Sequence, residues 1–185
     1  FGCFGLINLS NSFLTDISFH FFGSDEWALR LPSLLSFFIL VWALYRLMKF
    51  LESDVSKIIL TGAFLLCFPL LTFYGMCRGY GISMAFYLLA FSFVLDYFKN
   101  QKSASFIFFI ISFQIGISAN LTLMIPALLI TALVILFQCI NYKMLTWKTL
   151  TFFILPFYIL HFFLISFWTN YSLYLKEKGA LYYGE

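Results

Sequence analysis

Long apolar runs separated by short polar turns organise the 185-residue chain. Six runs stand out: Ser33–Phe50, Ile58–Tyr74, Tyr80–Phe98, Ala104–Ser118, Leu121–Ile140 and Leu150–Trp168. Each is roughly 15–20 residues, close to the length that carries a helix across about 30 Å of hydrocarbon at 1.5 Å per residue. No alternating strand pattern appears in them, and unpaired backbone groups are intolerable in lipid, so the pattern predicts helices throughout. Pro69, Pro126 and Pro156 fall inside these runs and predict a kink in each.

The first 31 residues follow another rule. Leu6, Leu9, Phe13, Ile17 and Phe21 recur every three to four positions, with Asn8, Ser10, Asn11, Ser12, Thr15 and Asp16 between them. That period predicts an amphipathic helix lying in the membrane interface. Gly23 is placed to end it. The stretch "GSDEW" then offers Ser24 or Asp25 as N-cap of a second short helix that leads through Pro32 into the first span.

Composition turns this pattern into a class. Hydrophobic residues make up 63% of the chain and charged residues 10%, and Phe alone supplies 27 positions. A soluble domain of this size buries only roughly 70% of its chain surface, too little to hide so much apolar area. The expectation is an all-α, polytopic transmembrane bundle of about six spans with an interfacial helix before it. It forms one domain over residues 1–185: outer-face loop helices at 1–31, six spans at 32–168, and the start of an outer loop at 169–185. Beginning at Phe1 and stopping at Glu185, the chain reads as part of a longer protein.

The charges orient the bundle. Arg46, Lys49 and Lys57, then Lys99 and Lys102, then Lys143 and Lys148 follow alternate spans, and together they are seven of the eleven basic residues. The positive-inside rule makes their side cytoplasmic. The net charge of +3 gives no reason to expect nucleic acid. No two of Cys3, Cys67, Cys77 and Cys139 have the spacing of a metal or redox pair, and no metal-ligand cluster or catalytic triad is visible.

The chemistry that remains sits on the outer side. In "FYGMCRGYGISMAFY" (73–87), Arg78 stands among Gly75, Gly79 and Gly81, flanked by Tyr74 and Tyr80. Arg78 either snorkels to lipid phosphate or, with the glycines admitting a head group, grips a lipid-linked phosphate through paired donors. Asp25 and Glu26 are potential general bases, although Glu26 and Arg30 have the spacing of a helical ion pair. Asp16 belongs to the polar side of the N-terminal helix. His161 lies inside the sixth run near Tyr158, either as a functional group or as the partner in one interhelical hydrogen bond.

Three stretches resemble the GT-C class of membrane glycosyltransferases, in particular the bacterial relatives of protein O-mannosyltransferases and aminoarabinose transferase. They are "FGSDEWALRLPSLLSFFILVWALYRL" (22–47), "FYGMCRGYGISMAFYLLAFSFVLDYF" (73–98) and "LKEKGALYYGE" (175–185). The resemblance implies transfer of a sugar from a polyprenyl-phosphate donor to a lipid, glycan or protein acceptor at the periplasmic face of a bacterial inner membrane. It gives Arg78 and Tyr80 the donor phosphate. It places the catalytic base in a first outer loop upstream of Phe1, with Asp16 and Glu26 as the candidates inside this chain. Asn8 and Asn11, in "NLSN" where many relatives carry a His-Pro-like step, are candidate substrate contacts, and His161 is a third through its place inside the sixth run. No cofactor is identified, and a divalent metal stays open. The rival expectation is a transporter, flippase or non-catalytic binder of lipid-linked sugars.

Overall fold

The computed structural model describes residues 9–76 and 79–142, together with positions 155, 159, 162, 163, 166 and 170. Every described element is helical: α1 (Leu9–Phe22), α2 (Glu26–Met48), α3 (Asp54–Leu65), α4 (Phe68–Gly75), α5 (Tyr80–Asn100), α6 (Ser103–Ala119), a 3-10 turn (Leu121–Leu123) and α7 (Met124–Tyr142). The chain divides into two compact units, Phe1–Val134 and Ile135–Glu185, and the packing below is that of the first.

Two of these helices, α2 and α5, are long and apolar enough to cross a membrane. The pair α3 and α4 adds a third candidate if the two count as one span bent by 50°. The expected six spans are therefore not reproduced among the described residues. The run expected at Ala104–Ser118 forms α6, whose 17 residues reach roughly 25 Å, short of a full hydrocarbon core. The run expected from Leu121 opens as a 3-10 turn, and its apolar helical stretch is Met124–Phe137. The sixth run, Leu150–Trp168, lies outside the described residues apart from isolated positions.

The prolines act by position. Pro69 sits in the first turn of α4, where its missing N–H costs nothing, and the chain bends just before it at Leu66 and Cys67. Pro126 likewise falls in the first turn of α7 and starts that helix instead of kinking it. Pro156 lies outside the described residues. Pro32 departs most from expectation: α2 runs unbroken from Glu26 through it, so no separate short helix precedes the first span. A proline at 32 leaves the carbonyl of Ala28 without its intrahelical partner. The Ser18 hydroxyl on α1 donates to that carbonyl at 2.5 Å and takes the place of the missing N–H.

Helices α2 and α5 run parallel: Leu40 and Ala85 share one core cluster, and further along both helices Trp42 meets Phe93 and Arg46 meets Ser92 and Asp96. Helix α5 stops at Gln101, whose left-handed backbone (φ 52°) reverses the chain into antiparallel α6. Aromatic pairs stitch α5 to α6 along their length: Tyr97 with Phe106, Phe93 with Phe108 and Tyr87 with Phe113, at centroid separations of 4.7–5.2 Å. Leu40, Leu44, Tyr74 and Ala85 close a core between α2, α4 and α5.

Small side chains share the interior with large ones. Buried positions include Ser33, Ser36, Ala43, Ser83, Ala85, Ala90, Ser92, Ser105, Ser112 and Gly116 beside Leu40, Phe109 and Phe113, whereas Phe38 is 70% exposed and Leu35, Trp42, Ile58 and Ile59 also face outward. Small residues let helices approach closely where no water drives them together. Three of the buried hydroxyls return to their own helix: Ser36 to Ser33 O, Ser83 to Tyr80 O and Ser92 to Leu89 O.

Candidate functional site

Arg46, Lys49 and Lys99 gather at one end of the bundle. The candidate site lies at the other, where α2 and α5 begin, α4 and α6 end, and α1 lies alongside.

Helix α1 forms where its period predicts and ends at Gly23, in the left-handed region (φ 85°) with its N–H on Phe19 O at 2.8 Å. Its polar side is divided, with Asp16 exposed. Asn11, Thr15 and Ser18 are buried, while Phe13, Ile17 and Phe21 are exposed. Asn11, Thr15 and Ser18 thus pack on protein. Ser10 shares a hydrogen bond with Ser118 at the end of α6, and Ser18 holds Ala28 at the start of α2. Both tethers reach the same end of the bundle, so α1 bridges the α6 terminus to the α2 terminus there.

The α4–α5 turn is tight because Gly81 has no side chain. A Cβ at that position would stand 2.9 Å from Tyr74 Cδ1 and 3.2 Å from the carbonyl oxygen of Phe73. Tyr80 opens α5 with its ring 5.4 Å from Phe73, and Gly79 occupies the N-cap. Arg78, the residue before that cap, lies outside the described residues.

At the α6 terminus, the buried Asn120 accepts from the backbone N–H of Thr122 at 3.2 Å and from its hydroxyl at 2.8 Å. Tyr87 on α5 donates to Leu123 O at 2.5 Å and ties this turn to the bundle. Three buried polar atoms have no hydrogen-bond partner among the described residues: Thr15 Oγ1, Tyr74 Oη and Gln114 Oε1. Each is a group whose burial costs about 1–3 kcal/mol when unsatisfied.

The residues singled out from sequence separate into three groups. Tyr80 stands at the α4–α5 turn, and Asn11 is buried in the α1 stripe. Asp16 is exposed on α1, and Glu26 is paired with Arg30 one turn along α2. Asp25 takes the cap position of α2 but turns its carboxylate to Trp27 Nε1 at 3.3 Å, without capping the helix. Asn8 and His161 lie outside the described residues. Among the described residues no three His, Cys, Asp or Glu side chains gather as a metal site would require. The unpartnered Tyr74, Thr15 and Gln114 were not legible in sequence, because burial of a single polar atom depends on neighbours from other helices. No family model, no curated protein and no solved structure matches the chain.

Proposed function

We propose that the protein is an integral membrane glycosyltransferase, taking a sugar from a polyprenyl-phosphate donor at the outer, periplasmic face of a bacterial inner membrane. The supporting observation is the α4–α5 turn. Gly81 draws the start of the 21-residue helix α5 onto Tyr74, so a helix N-terminus follows directly on Arg78 in sequence. Free N–H groups and the positive end of a helix favour phosphate, and a guanidinium beside them adds paired charged donors. In this reading Arg78 and Tyr80 hold the leaving phosphate, and its charge is stabilised as the glycosidic bond breaks. A general base then takes the acceptor hydroxyl proton. Asp16 is the more available of the two candidate acids, because Glu26 is engaged by Arg30. The test is transfer from a polyprenyl-phosphate sugar in reconstituted membranes, comparing wild type with Arg78→Ala. Unchanged transfer by a normally inserted variant refutes the assignment.

A transporter or flippase is the second reading, favoured by the 50° break between α3 and α4 and by the unpartnered polar atoms inside the bundle. Movement of a lipid-linked sugar across liposomes without sugar transfer selects it.

A further inference from the structure

At the opposite end of the bundle, α2 and α5 open a cavity of about 350 Å³ lined by Arg46, Lys49, Phe50, Asp96, Lys99 and Asn100. Three cations there face one carboxylate. The guanidinium of Arg46 is fixed in place: Nε donates to Ser92 Oγ at 3.0 Å, and the group lies 4.1 Å over the Phe93 ring and 5.7 Å from that of Trp42. Its approach to Asp96 is long, 3.9 Å from Nη2 to Oδ2, beyond hydrogen-bond length. Asp96 is instead engaged by neutral donors, Asn100 Nδ2 on Oδ1 at 2.7 Å and the Ser105 hydroxyl on Oδ2. Arg46 and Asp96 thus form an ion pair without a direct hydrogen bond, and the terminal guanidinium nitrogens make no hydrogen bond among the described residues. The two ammonium groups rest on rings, Lys49 at 4.4 Å from Tyr45 and Lys99 at 5.8 Å from Phe50.

We propose that this cavity binds a phosphate group. The recognition chemistry is a forked, pre-positioned guanidinium with two ammonium groups, a match for an oxyanion carrying several acceptors. At about 30 Å³ per water, the cavity holds roughly ten waters, enough for a phosphate with a short organic stub. Its place at the ends of the two spanning-length helices, beside Trp42, Tyr45 and Tyr97, is headgroup depth. An anionic phospholipid and a soluble phosphate both carry this chemistry. The site is separate from the α4–α5 turn and stands or falls independently of glycosyl transfer.

The experiment uses the full chain in nanodiscs of phosphatidylcholine, with and without phosphatidylglycerol, and native mass spectrometry of the retained lipid. In a parallel arm, glycerol 3-phosphate is titrated into phosphatidylcholine discs and followed by phosphorus NMR. Lys49→Gln and Lys99→Gln remove exposed charge and leave the Arg46 packing untouched. Retention is expected to fall roughly five-fold for each lysine removed. Lys57→Gln is the control, since Lys57 belongs to α3 and is already paired with Asp54 at 2.7 Å. Lysine-dependent retention of phosphatidylglycerol supports the pocket with a lipid occupant. Lysine-dependent binding of glycerol 3-phosphate without lipid preference supports it with a soluble occupant. Binding in neither arm, or binding insensitive to Lys49 and Lys99, or reduced equally by Lys57→Gln, overturns it.

Discussion

Ser18 Oγ donates to the carbonyl oxygen of Ala28, the acceptor that Pro32 leaves empty one turn further along α2. The two substitutions that test this bond are coupled. Ser18→Ala removes the donor and is expected to destabilise the fold by about 1 kcal/mol. Pro32→Ala restores the intrahelical N–H. In a Pro32→Ala background, Ser18→Ala should therefore cost clearly less, and a double-mutant cycle on thermal unfolding in detergent reads the difference. Additive costs would show that the hydroxyl does not substitute for the proline's missing donor.

Gly81→Ala forces a methyl group to within 2.9 Å of Tyr74 Cδ1, with the backbone of Phe73 and Tyr74 also closer than ordinary contact. Backbone cannot give way cheaply, so a loss of roughly 1–3 kcal/mol is expected. Gly62→Ala is the counterpart: its nearest neighbour is Leu66 Cδ1 at 3.9 Å, and alanine should raise stability by about 0.5–1 kcal/mol through helix propensity. Opposite shifts in melting temperature are the expected pair. Equal shifts would contradict the tight α4–α5 turn.

Asn11→Leu tests which way α1 faces. A leucine in the buried stripe, against neighbours placed for a smaller polar group, should cost roughly 1–3 kcal/mol. Phe13→Leu, on the outward face, should change stability by less than about 0.5 kcal/mol. If the costs were reversed, the polar stripe would be the outward one.

Tyr80→Phe keeps the ring packed on Phe73 and removes only the hydroxyl. Under the proposed glycosyl transfer it should slow turnover by roughly ten-fold, about the worth of one hydrogen bond to a charged group, with melting temperature unchanged. Asp16→Asn carries the same readout for the base. Full activity in both variants would remove these residues from the site while leaving Arg78 to be judged separately.

Much of the helical architecture is legible because it follows from local pattern. The runs at 33–50 and 80–98 become α2 and α5, since continuous apolar sequence and backbone satisfaction leave a helix as the only solution. What sequence hides is whatever depends on a second helix. Pro32 looks like a boundary until Ser18 supplies a replacement donor. The period of α1 is visible, but its direction is not, because the same stripe suits water outside or protein inside. Arg46 reads as a topology marker, and only the approach of α5 reveals that it lies over Phe93 with Asp96 nearby. Among the described residues the spans fall short for a simpler reason: an apolar run measures composition, whereas a 3-10 turn at Leu121–Leu123 and a bend before Pro69 shorten the helix that composition suggests.

The parallel sense of α2 and α5 also sets a schedule for synthesis. Between these two parallel helices the chain returns through α3 and α4. Arg46 leaves the ribosome 46 residues before Ser92, the group that takes its Nε. Through that interval the guanidinium of α2 has none of its α5 partners, and its charge still waits to be docked. A nascent chain stopped short of Ser92 lacks both the Ser92 hydroxyl and the Phe93 ring that fix this guanidinium in the finished fold.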